Sequence, residues 1–510
     1  NAARGLWTVV QETATANGRG RSATISRRKA ASRAGWAFVD MLSMRHVAFA
    51  ALCALGMQPL LVEAQVVAAP SSSGSKPLVG VSANGVPLVQ IATPNAAGVS
   101  NNVYTQYNVG SQGLVLNNST GTVQTQQAGL VGGNPNLASS GARVILNQVV
   151  GGSPSQLLGY TEVAGTRAEV VIANPSGIYC NGCGFINTSR GILTTGTPVF
   201  GGTGSLDAFH VTGGQIQIGA AGLNGSNVDQ VDLIARSVAI NGKVWAGQSL
   251  NVVAGNNDVR YSDLNAQSLG PDGNSPGVAI DVAQLGGMYA GKIRLVGTEM
   301  GVGVNSAGTI ASQSGDVTLS SQGKVTLSGT TSANGSVAIS GAGDVLNSGS
   351  VYATQNASVS AQGRVSSSGT VAALGNTNVT GASIDASGAL GAGIDANGSI
   401  AGAGSLAVTS VGAVSATGRQ MAGGNLMLAG SSLNMASAQT LARGDVALTA
   451  TAAGGDTGNI DHAGASLQAG GSLTVSAAGA LTNDQGRASA AQLGVTAGSV
   501  SNRGGTLSQT

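Results

Sequence analysis

The sequence predicts an all-β protein: a right-handed parallel β-helix, a solenoid of about 20 residues per coil, preceded by an extended signal peptide. Three observations predict it. The composition is glycine-rich and poor in charge, apolar residues recur at a fixed offset of 20 over residues 315–374, and one short apolar stretch follows a basic segment near the start.

The composition comes first. The chain has 510 residues with 81 Gly, 11 Pro, 3% aromatic and 9% charged residues, whereas an ordinary globular domain is about one quarter charged. A hydrophobic content of 42%, much of it Ala and Val, offers small side chains for a narrow core and argues against a large aromatic one. The formal charge of +2 hides an asymmetry. Residues 1–64 hold eight basic residues against Glu12, Asp40 and Glu63, so residues 65–510 keep 15 basic and 18 acidic residues. With no basic run to neutralise a row of phosphates, nucleic-acid binding is not expected.

Residues 1–64 read as an address. Val47 to Leu61, VAFAALCALGMQPLL, is an apolar stretch of 15 residues, short of the roughly 20 that span a bilayer as a helix. It has the form of a signal-peptide h-region. Arg45 and His46 precede it, Gly56 and Pro59 loosen its end, and Val62-Glu63-Ala64 places small residues for cleavage before Gln65. Residues 1–46 form a basic extension, and Cys53 leaves with the leader. The chain opens on Asn1 rather than Met and stops at Gln509-Thr510 without an aromatic or charged cap, so a piece of a longer protein is expected.

The solenoid is clearest between residues 315 and 374. At an offset of 20, Leu319, Ile339 and Val359 fall in register, as do Val325, Val345 and Val365. Val379 continues the first column, and Gly323, Gly343, Gly363 and Gly329, Gly349, Gly369 mark corners. Short alternating segments between Gly, Asn, Ser and Asp turns make strands with one side chain in and the next out, and a fixed period stacks them into coils. The register loosens beyond residue 380, although units such as Gly424-Asn425-Leu426-Met427-Leu428 recur. Leucine-rich repeats have a similar period but need a Leu framework and an Asn ladder that this sequence lacks. Wound uniformly from Gln65, the chain would make about 22 coils and a rod on the order of 100 Å.

Two Asn-Pro motifs stand in the first mature section: Asn134-Pro135-Asn136-Leu137 and Asn174-Pro175-Ser176-Gly177-Ile178. Taken singly, each is ordinary turn chemistry, in which Asn satisfies nearby backbone groups and Pro presets φ. Together they resemble the NPNL and NPNGI motifs of the two-partner secretion domain of filamentous haemagglutinins and contact-dependent inhibition proteins. Ser176 departs from the usual Asn and leaves Pro175 and Gly177 in place. The stretch GIYCNGCGFINT, with Cys180 and Cys183, resembles the contact-dependent inhibition branch, and LGGMYAGKIRLVGTEMGVGVNSAGTI at 285–310 adds to the match. NAARGLWTVVQETATANGRGR resembles the extended signal-peptide region of very large exoproteins.

The resemblance implies a secretion domain at 65–310 and shaft repeats at 311–510. It implies an outer-membrane transporter as partner, with periplasmic modules and a β-barrel, after passage through the Sec machinery and signal peptidase. The protein would be secreted to the surface of a Gram-negative bacterium, as an adhesin or the stalk of a contact-dependent inhibition toxin facing a receptor on a host or neighbouring cell. Asn134, Pro135, Asn136, Leu137, Asn174, Pro175, Ser176, Gly177 and Ile178 would act as secretion motifs through structure rather than chemistry.

Cys180-Asn181-Gly182-Cys183 admits a redox dithiol, half a zinc site or a small disulfide. Zinc needs two further ligands, and the nearest His is His210; a redox motif would open a helix in an α/β pattern. In an oxidising compartment the pair is expected to close as a disulfide. No metal and no cofactor is expected. The competing class is a carbohydrate-active β-helix enzyme. Asp229, Asp232, Asp281 and Glu299 are scattered, Arg236, Lys243, Lys292 and Arg294 show no face-sharing spacing, and the Asp229/Asp232 pair reads as a solvated loop. No catalytic residue is therefore assigned.

Overall fold

The local rule is plainest in the shaft, where alternating short apolar residues form strands and Gly-containing corners turn them. One coil consists of strands Val317–Ser321, Val325–Leu327 and Thr330–Ala333, with buried residues alternating along each. The next coil, Val337–Gly341, Val345–Asn347 and Ser350–Ala353, lies directly on it in parallel. Leu319 faces Ile339, Ile339 faces Val359 and Val359 faces Val379, while Val325, Val345 and Val365 stack in a second column. A coil buries its apolar face only against its neighbours, each fully buried Val, Leu or Ile contributing about 1.5–3 kcal/mol, so the stack is cooperative.

The computed structural model describes residues 65–70 and 75–510. The expected leader, with its h-region, Cys53 and Ala64, lies outside the described residues. Residues 64–510 form a compact unit of their own with one continuous core. Its strands fall mainly into two sheets, of 30 and 18 strands, and a single 3-10 turn at Ala453–Gly455 is the one helical element among the described residues. The architecture is a parallel β-helix.

Close backbone approach explains the glycine corners. A Cβ on Gly349 would stand 2.0 Å from the Gly329 carbonyl oxygen, and one on Gly369 would stand 2.0 Å from that of Gly349. No side chain fits between coils there.

Three features correct the uniform winding expected from the sequence. The 18-stranded sheet is parallel throughout except for Leu78–Val81, so the rod has fewer coils than the about 22 that uniform winding gives. Insertions absorb the difference. The step of 20 widens to 29 between Asn376 and Ser405, where Ile394 and Ile400 bridge in a side hairpin, and to 27 between Asp445 and Ser472. These two insertions are why the repeat loosens beyond residue 380.

Second, the first coils are covered by antiparallel strands: Val66–Ala68 pairs with Val99–Tyr107, and Leu78–Val81 pairs with Pro87–Gln90. The core here does hold aromatics, with Tyr104 and Tyr107 buried and their rings 5.1 Å apart. Third, an antiparallel sheet of Thr197–Phe200, Leu206–Val211, Asn257–Arg260 and Ala266–Ser268 packs on the outside of the helix. Phe209, Val211 and Val259 cover Leu146, Val171, Ile192 and Ile234, whose strands are apolar on both faces for this reason.

Candidate functional site

Both Asn-Pro motifs build the same turn. In the first, Asn134 is buried and its Oδ1 accepts the Asn136 backbone N–H at 2.9 Å, while its carbonyl accepts the Leu137 N–H at 3.0 Å. In the second, Asn174 is fully buried, its Oδ1 accepts the Ser176 N–H at 3.0 Å and its carbonyl accepts the Gly177 N–H at 3.0 Å. Pro135 and Pro175 occupy the second position of each turn, where a fixed φ near −65° is favourable and no N–H is needed.

The remaining amide protons reach across coils. Asn134 Nδ2 donates to the Ile91 carbonyl at 3.0 Å and to the Asn117 carbonyl at 2.9 Å. Asn136 Nδ2 also donates to the Ile91 carbonyl at 3.0 Å, and the Asn136 carbonyl accepts the Thr93 hydroxyl at 2.9 Å. The turn thus ties the segment after the N-terminal hairpin to the strand Leu114–Asn118, with Leu137 buried beneath it. Asn174 Nδ2 donates to the Ser153 carbonyl and to Ser155 Oγ, both at 3.0 Å, and its own N–H donates to the Thr194 carbonyl at 2.9 Å. Here the turn joins three consecutive passes of the chain.

Gly177 adopts φ +116°, a backbone that side chains rarely accept, and its carbonyl receives the Ser155 N–H at 3.0 Å. The hydroxyl of Ser176, where the family motif has Asn, donates to the Gly151 carbonyl at 3.2 Å. Ile178 is buried and stacks between Ser155 and Ile216. Directly after it, Cys180 and Cys183 are bonded to each other with Cα atoms 5.4 Å apart, closing the corner through Asn181 and Gly182. Gln65, at the expected cleavage point, sits beside the first coil, where its carbonyl accepts the Asn108 N–H at 2.6 Å.

The charged residues correct the expectation that Asp229 and Asp232 form a solvated loop pair. Asp232 is fully buried in strand Gln230–Ala235 and accepts Arg190 Nε at 2.6 Å, whereas the Asp229 side chain is half-exposed and pairs with Arg167 at 3.1 Å; the two do not share a site. Arg190 also lies over the Tyr261 ring at 4.8 Å, and the Tyr261 hydroxyl bonds Glu169. Burial, and then that carboxylate, push the Tyr261 hydroxyl pKa well above its ordinary value. A second cluster joins Arg236 to Glu299 and Asp272. The hydrogen bonds from Arg236 hold Asp272 far below the usual carboxylate range. Local spacing gave no signal for either cluster, because the partners lie on different coils.

The family model of the TPS secretion domain matches residues 64–327. The chain is 51% identical, over 87% of its length, to tRNA nuclease CdiA-2 of Burkholderia pseudomallei, and 47% identical, over 65% of its length, to Toxin CdiA of Yersinia pestis. It spans only 14% and 10% of those two proteins. The crystal structure of a filamentous hemagglutinin secretion domain superposes with a TM-score of 0.51 at 34% identity, covering 56% of this chain and 95% of that domain. The match lies on the part of the rod that carries both Asn-Pro turns, and since it spans more than half of the sequence, the chain belongs to the TPS secretion domain family.

Proposed function

We propose that this chain is the export-directing amino-terminal part of a secreted exoprotein. Residues 1–64 serve as the Sec-dependent leader, removed by signal peptidase before Gln65. Residues 65–310 are recognised in the periplasm by the periplasmic modules of a dedicated outer-membrane β-barrel transporter. Residues 311–510 begin a surface shaft. The observation that carries this reading is the pair of Asn-Pro turns, each with its Asn buried and each stapling neighbouring passes of the first coils within the region matched by the secretion domain.

Such staples suit a folding template. Once the capped first coils form outside the cell, each further coil docks on the last and buries its own apolar face, so export proceeds stepwise downhill without nucleotide hydrolysis. The names of the relatives, a nuclease and a toxin, favour the stalk of a contact-dependent inhibition protein over a simple adhesin, with any toxic activity carried outside this chain and a receptor on a neighbouring cell. The test is expression in a Gram-negative host with and without the partner transporter. Mature protein beginning at Gln65 should reach the medium only with the partner and should stay in the periplasm without it. Equal release in both strains would refute the reading.

A further inference from the structure

Five outward-facing positions on successive coils of the second ladder form one column: Tyr160, Gly184, Asn224, Trp245 and Tyr289 are Cα partners in turn. At a coil spacing of about 4.8 Å the column runs on the order of 20 Å along the rod. Trp245 and Tyr289 stack with ring centroids 4.3 Å apart and planes 17° from parallel. The Tyr160 ring lies over Gly184, where a Cβ would stand 2.4 Å from it, and the Tyr160 hydroxyl accepts a hydrogen bond from Asn224 Nδ2 at 2.8 Å. Neighbouring Val244 and Met288 point into the core, so the rings belong to the solvent side.

An open groove of about 610 Å³ runs beside the column, with Tyr160, Asn224, Lys243, Trp245 and Leu285 on its walls. The same outward column bears another aromatic further along, Tyr352, but there the side hairpin brings Ile394 and Ile400 over the ring. Trp245 instead stays half-buried on the wall of the groove. Lys243 is exposed and pairs with no carboxylate among the described residues. A half-buried indole, an amide, a phenol and one free cation therefore meet in one groove.

A pyranose has an apolar C–H face and polar edges, and flat aromatic rings with a polar rim suit such amphipathic ligands. We infer that this groove binds an acidic sugar of a surface polysaccharide: its apolar face rests on Trp245, its hydroxyls reach Asn224 and Tyr160, and its carboxylate pairs with Lys243. The site binds only. No carboxylate lines the groove, so the acid pair that glycoside cleavage uses is missing from it. The inference is independent of the export reading.

Trp245 is the one tryptophan of residues 65–510, the others being Trp7 and Trp36, so the selectively excited tryptophan emission of that separate unit reports on this groove alone. The probes are a galacturonate oligomer, the same oligomer with its carboxylates reduced to alcohols, and poly-glutamate. The uronate oligomer should change Trp245 emission saturably, the reduced oligomer should bind about tenfold more weakly, and poly-glutamate should be inert. Lys243→Gln, a surface change, should weaken uronate binding about tenfold and leave the reduced oligomer unaffected. Trp245→Ala, followed by calorimetry and checked by circular dichroism, should abolish binding of both. If that variant misfolds, Lys243→Gln decides. A flat response to both sugars, equal binding of poly-glutamate, or unchanged uronate affinity in Lys243→Gln would overturn the inference.

Discussion

Arg236 and Glu299 stand 63 residues apart in sequence and meet inside the protein through two hydrogen bonds of 2.8 Å. Both are almost completely buried. The other edge of the guanidinium grips Asp272 at 2.7 and 2.8 Å, and the Thr212 carbonyl accepts a further bond at 2.7 Å. One side chain thus fastens the outer loops to the helix.

Removing Arg236 leaves Glu299 buried without its counter-charge. Arg236→Ala should cost about 3–5 kcal/mol, read by urea unfolding with hydrogen exchange at residues 270–300. Arg236→Lys should recover only part of the loss, since an ammonium cannot make two forks at once. A cost below 1 kcal/mol for Arg236→Ala would show that the cluster is not holding these loops.

The buried amide of Asn174 separates hydrogen bonding from volume. Asn174→Ala strands the Ser153 carbonyl and the Ser176 N–H, at about 1–3 kcal/mol for each group left unsatisfied. Asn174→Asp keeps the acceptor but sets a carboxylate against that same carbonyl, so at neutral pH it should be the more destabilising of the two. Thermal unfolding of the pair gives the order directly. Equal midpoints would argue that the cross-coil bonds contribute little.

His462 lies in the core of the last coils. Its Nδ1 bonds Asn483 Oδ1 at 2.6 Å, and its Nε2 has no hydrogen-bond partner among the described residues. Burial lowers its pKa below the ordinary 6.5, against opposing effects of Asn483 and Asp461. The unfolded chain therefore takes up the proton first. Stability is full above about pH 6.5 and falls as the pH drops from there towards the folded pKa. Protection factors across residues 460–507, that is, exchange corrected for the pH dependence of the intrinsic amide rate, should be lower at about pH 5 than at neutral pH, and His462→Leu should flatten that dependence. An unchanged slope in the variant would assign the effect to other groups.

The bridge between Cys180 and Cys183 closes a very short ring, and on the chain-entropy argument such a ring contributes only about 2 kcal/mol. Reduction should lower stability by no more than this and leave the β spectrum intact. Because both cysteines are buried, reduction by a mild thiol should also be slow. Loss of all β signal on reduction would contradict this modest role.

The shaft was legible because its signal is local. Leu319, Ile339, Val359 and Val379 repeat at one offset, and a fixed period is what stacking requires. The Asn-Pro turns were legible too, since Asn followed by Pro has few uses other than a turn. The staples themselves were not: nothing near Asn134 in sequence points to Ile91, and nothing near Asn174 points to Ser155. The same holds for Asp232, read with Asp229 as a solvated loop pair and in fact buried with Arg190. That sheet pairs Leu206–Val211 with Asn257–Arg260 across two intervening passes of the helix, a relation with no local period. The two insertions hid the later register for a related reason, because they change the step without changing the coil beneath.

In the proposed function, the two Asn-Pro turns hold the template on which export depends. Its most direct test is the rate of appearance in the medium, with the partner transporter present, of the native chain and of Asn134→Ala and Asn174→Ala, each followed by pulse-chase. Synthesis should be equal, release should be lost in both variants, and the variants should accumulate in the periplasm. Release at the native rate by both, together with native protease resistance of the product, would contradict it.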